Sequence, residues 1–181
     1  SYFFDELYTP CYDLPENITV TGMDTKDFSS QNFASLSLRP ERNNVVLLHG
    51  DIYATASTVV SEQGLQNVKS KESIPLGLLK DKHINYLALG HIHKPLPAKA
   101  YGTTVVAYSG FFAGRGFDEL GEGQARFVQI EGKTVREIAL PSGADTFECR
   151  VLDCTGAASG EQIRRSVAEY LKTEELSPRT A

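Results

Sequence analysis

Residues 86–95 read Tyr-Leu-Ala-Leu-Gly-His-Ile-His-Lys-Pro. An apolar run passes straight into a glycine, two histidines one residue apart, and a proline that cannot extend a strand ladder. Upstream, Val45-Val46-Leu47-Leu48-His49-Gly50 repeats the pattern with a single histidine. Four consecutive aliphatics suit a strand buried on both faces, as in parallel sheets. Two buried strands that each deliver histidine at a glycine-marked corner define an α/β plan, because open α/β sheets form their sites where strands end and loops begin. Gly50 and Gly90 allow tight turns and close approach of a ligand.

Outward from these strands, residues 1–17 read as a short helix or loop, and Ile18 to Thr21 as a short strand closed by Gly22. Phe33 to Leu38 alternates apolar residues with serine, the period of a half-buried strand. Residues 52–72 lack periodicity and read as an excursion over the surface. Ser73 is placed to cap a short helix containing Pro75, Leu76, Leu78 and Leu79. Thr103 to Tyr108 reads as a strand ending in Ser109-Gly110, and residues 110–123 as a glycine-rich loop. Gln124 to Ile130 and Thr134 to Leu140 form a hairpin about Glu131-Gly132-Lys133. Pro141 to Asp145 is a linker. Phe147 to Leu152 reads as a strand, and Ser159 with Gln162 forms a capping box for a helix with Ile163, Val167, Tyr170 and Leu171 on one face.

The 181 residues are 41 % hydrophobic and 23 % charged, with 15 Gly and 8 Pro, which excludes collagen-like, coiled-coil and wholly disordered classes. No apolar run approaches the ~18 residues of a membrane-spanning helix, so no membrane association is expected. The net charge of −5 argues against a basic nucleic-acid coat. Residues 61–120, with 7 basic and 5 acidic side chains, are the only net positive third, and the expected place for an anionic ligand. Lys69, Lys71, Lys80 and Lys82 read as a solvated cluster. Three cysteines without a CxxC pair fit a reducing cytoplasm.

Neutral imidazole is a good donor to Zn, Mn, Fe or Ni. His91 and His93 would share a direction along a regular strand; in a turn they can diverge toward two adjacent ions. A pair of ions about 3.5–4 Å apart is the arrangement that clamps a phosphoryl group. Such a pair needs bridging carboxylates, and no obvious acidic set stands in this sequence. Against this reading, a single His after a strand is usually a hydrogen-bonded structural residue, and His-x-His is a short, common motif. Asp51, two residues after His49, could in principle ligate, and a solvated turn residue is the plainer reading. His83, in a polar turn, has no assigned role.

Val-Val-Leu-Leu-His-Gly, then Ile-Asn-Tyr-Leu-Ala-Leu-Gly-His-Ile-His-Lys-Pro, then Val-Ala-Tyr-Ser-Gly together resemble the last motifs of the calcineurin-like metallophosphoesterases. The branch they resemble is that of the bacterial SbcD-type DNA-repair exonucleases. Gly114-Arg115-Gly116-Phe117-Asp118-Glu119-Leu120-Gly121 is similar to the segment that follows in that branch, and residues 151–156 with the helix behind them to the start of its capping domain. The resemblance spans roughly residues 17 to 172 and implies a hydrolase: a metal-dependent phosphoesterase holding two divalent ions, Mn above all. It implies His49 and His91 on one ion and His93 on the other. Lys94 and Arg115 would lie where a phosphate backbone passes, and surface charge is the plain alternative for both.

The family's first three motifs are Asp-x-His, Gly-Asp-x-x-(Asp/Asn) and Gly-Asn-His-(Asp/Glu). They supply the remaining ligands, the bridging Asp and the His that protonates the leaving group, and they do not occur ahead of His49. The resemblance therefore implies a catalytic histidine upstream of Ser1 and no catalytic residue within the 181 residues. The expectation is the C-terminal half of a metallophosphoesterase β-sandwich flanked by helices (1–144), followed by the truncated beginning of an α+β cap (145–181). Alone it should be inactive, with a sheet edge open to homodimerisation or to a partner. DNA is the expected substrate and an SMC-like ATPase the expected partner. A phosphoesterase acting on nucleotides or phosphoproteins, and a non-enzymatic partner-binding module, stand as alternatives.

Overall fold

The two runs that end in histidine are neighbours in the computed structural model, which describes residues 12–24, 28–55, 58–61, 64–66 and 73–173. In chain order, β1 (Tyr12–Leu14) and β2 (Ile18–Gly22) precede α1 (Ser30–Ser35) and β3 (Asn43–His49). Four short strands follow: β4 (Asp51–Thr55), β5 (Thr58–Ser61), β6 (Gly64–Gln66) and β7 (Ser73–Pro75). A 3₁₀ turn at Leu76–Leu79 leads into β8 (Ile84–Gly90), then β9 (Lys99–Tyr101) and β10 (Thr104–Tyr108). The hairpin β11 (Gln124–Glu131) and β12 (Thr134–Pro141) and the helix α2 (Gly160–Thr173) complete the described elements. The chain is mixed α/β and mostly sheet.

The main sheet has the order β1-β2-β3-β8-β10-β9. Its four inner strands are parallel, and β1 and β9 pair antiparallel at the two edges. In a parallel ladder, paired residues point to the same face. Val46, Leu87 and Val106 therefore point together, and with Phe33, Leu48, Ile52, Ile74, Leu79, Ile84 and Leu89 they form the core. α1, the 3₁₀ turn and the arm around β4 and β7 cover that face.

On the other face stand Ile18, Val20, Val45, Leu47, Ala88 and Val105. The hairpin covers the β8–β10 side of this face through a buried polar tie: Arg126 Nη1 meets Glu137 Oε1 at 2.5 Å, and the Tyr86 hydroxyl donates to Glu137 Oε2 at 2.8 Å. Leu47 remains 39 % exposed. The expectation that β3 is buried on both faces is thus corrected: β3 has a core face and an open face. The described edge strands, β1 and β9, are only three residues long, which blunts edge pairing, so exposed apolar surface is offered by the face rather than by an edge.

Several local expectations are also corrected. Phe33 to Leu38 is no strand. Ser29 caps α1 by accepting from the Asn32 N–H at 3.0 Å, and Phe33 enters the core fully buried. Burial of one aromatic outweighs six residues of alternating pattern. Lys82 donates to the carbonyls of Ala34 and Leu36, closing the end of that helix, so it is not part of a solvated cluster. Lys69 and Lys71 lie outside the described residues. The stretch read as a surface excursion contains β4, β5 and β6, and Ser73 lies in β7 rather than at a helix cap. Pro75, extended at ψ 130°, ends that strand without a side-chain cap. Residues 12–14 of the predicted N-terminal helix or loop are a strand. Ser1, the point upstream of which the catalytic histidine is expected, lies outside the described residues together with residues 2–11. Phe147 to Leu152 makes a single bridge to Leu120 in place of a strand.

Ser159 does cap α2, accepting from the Gln162 N–H at 3.3 Å, while Gln162 reaches back to the Ala158 N–H at 2.6 Å. Ile163, Val167 and Leu171 on the apolar stripe of α2 are exposed, and none of its residues is buried. No described helix is long and apolar enough to cross a membrane. Cys149 and Cys154 are both free thiols.

The register that matters most changes at one point. Asn44 pairs with Ile84, but Val45 pairs with Tyr86, so Asn85 is an extra residue in β8. Its side-chain Oδ1 accepts the backbone N–H of Asn44 at 2.9 Å, closing the bulge. Because both residues are buried, Asn85→Ala should leave an N–H unsatisfied and destabilise the fold by about 1–3 kcal/mol, measured by urea unfolding.

Candidate functional site

The bulge at Asn85 slides β8 by one residue, so that His49 stands opposite Gly90 rather than Leu89. A Cβ at position 90 would meet His49 Nδ1 at 2.9 Å. Glycine leaves the exposed His49 imidazole room to lie against the neighbouring strand as it does here. His91 follows at once, with φ of 86°, a left-handed conformation rare for a side chain with a Cβ. That turn brings its ring edge-on to His49, with centroids 5.2 Å apart and planes at 87°. Strain of this kind is retained where the surroundings impose it, and it clusters at functional sites.

Asp51 opens β4 just beyond His49-Gly50, and its Oδ2 lies 3.7 Å from His91 Nε2. That is too long for a hydrogen bond but close enough for a carboxylate to hold an imidazole, or a cation bound to it, electrostatically. Asp51 is buried, which corrects its reading as a solvated turn residue. The backbone N–H of Ile52 donates to the Tyr108 hydroxyl at 3.1 Å, which fixes β4 against the end of β10.

His93 takes another direction. Its Nδ1 is 2.6 Å from Glu119 Oε1. The Glu119 side chain is 1 % exposed and comes from the glycine-rich loop that follows β10. Arg115 Nη2 meets the same oxygen at 2.6 Å, and the Arg115 backbone N–H donates to Oε2 at 2.8 Å. The Arg115 bonds, and secondarily His93, hold the Glu119 carboxyl down at about 2. The loop is seated by Gly110, at φ 76°, where a Cβ would strike the backbone of Pro95 and His93; the Phe111 N–H donates to the His93 carbonyl at 2.9 Å. Phe117 packs edge-on to Phe147 with centroids 5.2 Å apart.

The structure therefore brings His49 and His91 together and gives His93 to Glu119 and Arg115. Arg115, expected to meet phosphate, spends its Nε and Nη2 on Glu119 while its side chain stays 72 % exposed. Lys94 is exposed beside His93. The sequence's one Asp-x-His triplet, Asp81-Lys82-His83, turns at the opposite end of β8, about 20 Å away along a seven-residue strand.

Do these donors fit a metal ion? Donor nitrogens about 2.0–2.1 Å from one ion place two imidazole centroids roughly 5 Å apart at tetrahedral angles, in line with the His49–His91 spacing. Two imidazoles supply two positions. Among the described residues no three His, Cys, Asp or Glu side chains gather into a complete metal-binding set. The donors fit part of a site and not the whole of one. No known protein family matches this chain, and no curated protein matches it.

Glu119 is the residue that reading by pattern missed. It was legible only as a member of the Gly114–Gly121 segment, because its partner His93 is reached through the fold. Gly90→Ala should displace the His49 ring, read as shifted His49 ring resonances. For Glu119 the folded pKa is depressed, so its contribution is present above the unfolded value near 4.5 and is lost as pH falls toward about 2. The stability advantage of the natural chain over Glu119→Gln should shrink as pH falls below about 4.5, measured by urea unfolding between pH 5 and 3.

Proposed function

We propose that this chain is the C-terminal part of a dinuclear-metal phosphodiesterase of the calcineurin-like metallophosphoesterase type, hydrolysing DNA in the manner of the SbcD-type repair exonucleases. Residues 1–144 would belong to the phosphoesterase domain, a β-sandwich of which the six-stranded sheet is one layer, and residues 145–181 to the start of a cap. The reading is supported by one observation above the others. Two histidines from adjacent parallel strands meet edge-to-face at 5.2 Å, at a corner where the register and a glycine make room for them.

His49 and His91 would hold one divalent ion and His93 the second, both taken to be Mn. Such a pair supplies Lewis acidity at the phosphoryl oxygens and lowers the pKa of water. Each histidine must offer a bare nitrogen to the ion it holds. Lys94 and the outer side of Arg115 are the cations of this corner and would meet the phosphate backbone, which makes DNA binding sensitive to salt. The missing carboxylates would come from polypeptide packed on the open sheet face around Leu47, the same face from which His49 projects. The histidine that protonates the leaving group would come from that polypeptide too, upstream of Ser1. Acting alone, the 181 residues would not turn over.

Mn²⁺ titrated into the chain should broaden the ring resonances of His49 and His91 together, and His49→Ala or His91→Ala should weaken that binding at least tenfold. Titration that leaves both rings untouched would sink the metal reading. Robust chelator-sensitive phosphodiesterase activity from the 181 residues alone would overturn the incompleteness of the site. In the complete protein, cleavage of bis(p-nitrophenyl) phosphate without cleavage of DNA would redirect the substrate to a smaller phosphoester.

A further inference from the structure

Glu119 has no role in the function proposed above, yet it is the most deeply buried carboxylate among the described residues, and one side of it faces a candidate ligand. Burying a carboxylate is costly unless its oxygens are satisfied. Here Oε2 accepts the Arg115 backbone N–H, and Oε1 receives Arg115 Nη2 and faces His93 Nδ1, both at 2.6 Å. His93 Nδ1 has a second neighbour, Arg115 Nη2 at 3.3 Å. The two neighbours ask opposite things of the ring. An arginine donor wants a lone pair on Nδ1; a carboxylate oxygen wants a proton there.

Distance and charge decide between them. At 2.6 Å a lone pair on Nδ1 would face an anionic oxygen in direct repulsion, whereas a proton on Nδ1 turns the same approach into an attraction. The arginine contact is longer, and that guanidinium is already satisfied by Glu119 on two nitrogens. We infer that Glu119 is a positioning residue: it fixes His93 as the Nδ1–H tautomer, so that Nε2 is the bare nitrogen offered to the site. The Arg115 backbone N–H, which a side-chain substitution does not remove, helps to hold that carboxylate in place. The ring would otherwise prefer the opposite tautomer, the Nε2–H form favoured by a histidine side chain in water. A carboxylate behind a ligating histidine orients the ring and raises its basicity. The tautomer assignment stands on the geometry alone; its consequence for metal binding rests on the proposed function.

The experiment is long-range ¹H–¹⁵N correlation of the histidine rings in the 181-residue chain at pH 8. The expected spectrum gives His93 a protonated Nδ1 and a bare Nε2. Arg115→Ala should keep that pattern, and Glu119→Gln, which preserves shape but not charge, should lose it. A His93 ring protonated on Nε2 in the natural chain overturns the inference without recourse to any variant. Retention of Nδ1–H in a folded Glu119→Gln overturns it too, as does its loss in Arg115→Ala. Mn²⁺ titration then separates the two claims. Weakening of His93 binding by about 10–100-fold in Glu119→Gln supports the positioning role. Equal affinity in both proteins overturns that role. Broadening of no histidine at all refutes the metal reading, while the tautomer result stands by itself.

Discussion

The contact between His49 and the bare backbone of Gly90 is the constraint from which the rest of the site follows. The ring lies as it does beside a glycine, where a Cβ would sit 2.9 Å from it, and that glycine stands at the level of His49 on the neighbouring strand. The level is set one strand-length away, where Asn85 bulges and its side chain takes the Asn44 N–H. A bulge shifts register by one residue and so exchanges which side chains share a face. Without it, Leu89 would stand beside His49. A buried amide at the start of two strands thus decides whether two imidazoles can meet at their ends.

Polar groups inside this fold act chiefly as geometric ties. Glu137 collects Arg126 and Tyr86 and fastens the hairpin to the sheet. Arg42 collects Thr19 at 2.6 Å and the Ile18 carbonyl at 2.7 Å, and fastens the first turn. Glu119 collects Arg115 and His93 and fastens the glycine-rich loop to the histidine corner. Glu119 is buried and Glu137 and Arg42 are part-buried, and a charged group withdrawn from water persists with several partners at once, which draws together the elements that carry them. The site inherits its order from this requirement.

The two faces of the sheet are unequal. One is closed by α1 and by the arm between β3 and β8; among the described residues the other is closed only where the hairpin reaches. His49 projects from the less covered face, beside the exposed Leu47.

Much of the fold was legible in the residues themselves. Runs of aliphatics announced β3, β8 and β10, alternation with a glycine turn announced the hairpin, and Ser159 with Gln162 announced α2. These signals are local, and neighbours along the chain suffice to produce them. The histidines could likewise be singled out, since each follows an apolar run at a glycine. Phe33 in a helix, the open face of β3, the burial of Asp51 and the pairing of His93 with Glu119 could not be read in this way. Each depends on what lies across space: a core that takes in one aromatic, a layer that stops short, a loop that returns to a strand end. The order of residues specifies which side chains can act and where strands run. Which of them meet is settled by the folded arrangement, because register, burial and the partner of a charge belong to pairs of segments rather than to either one.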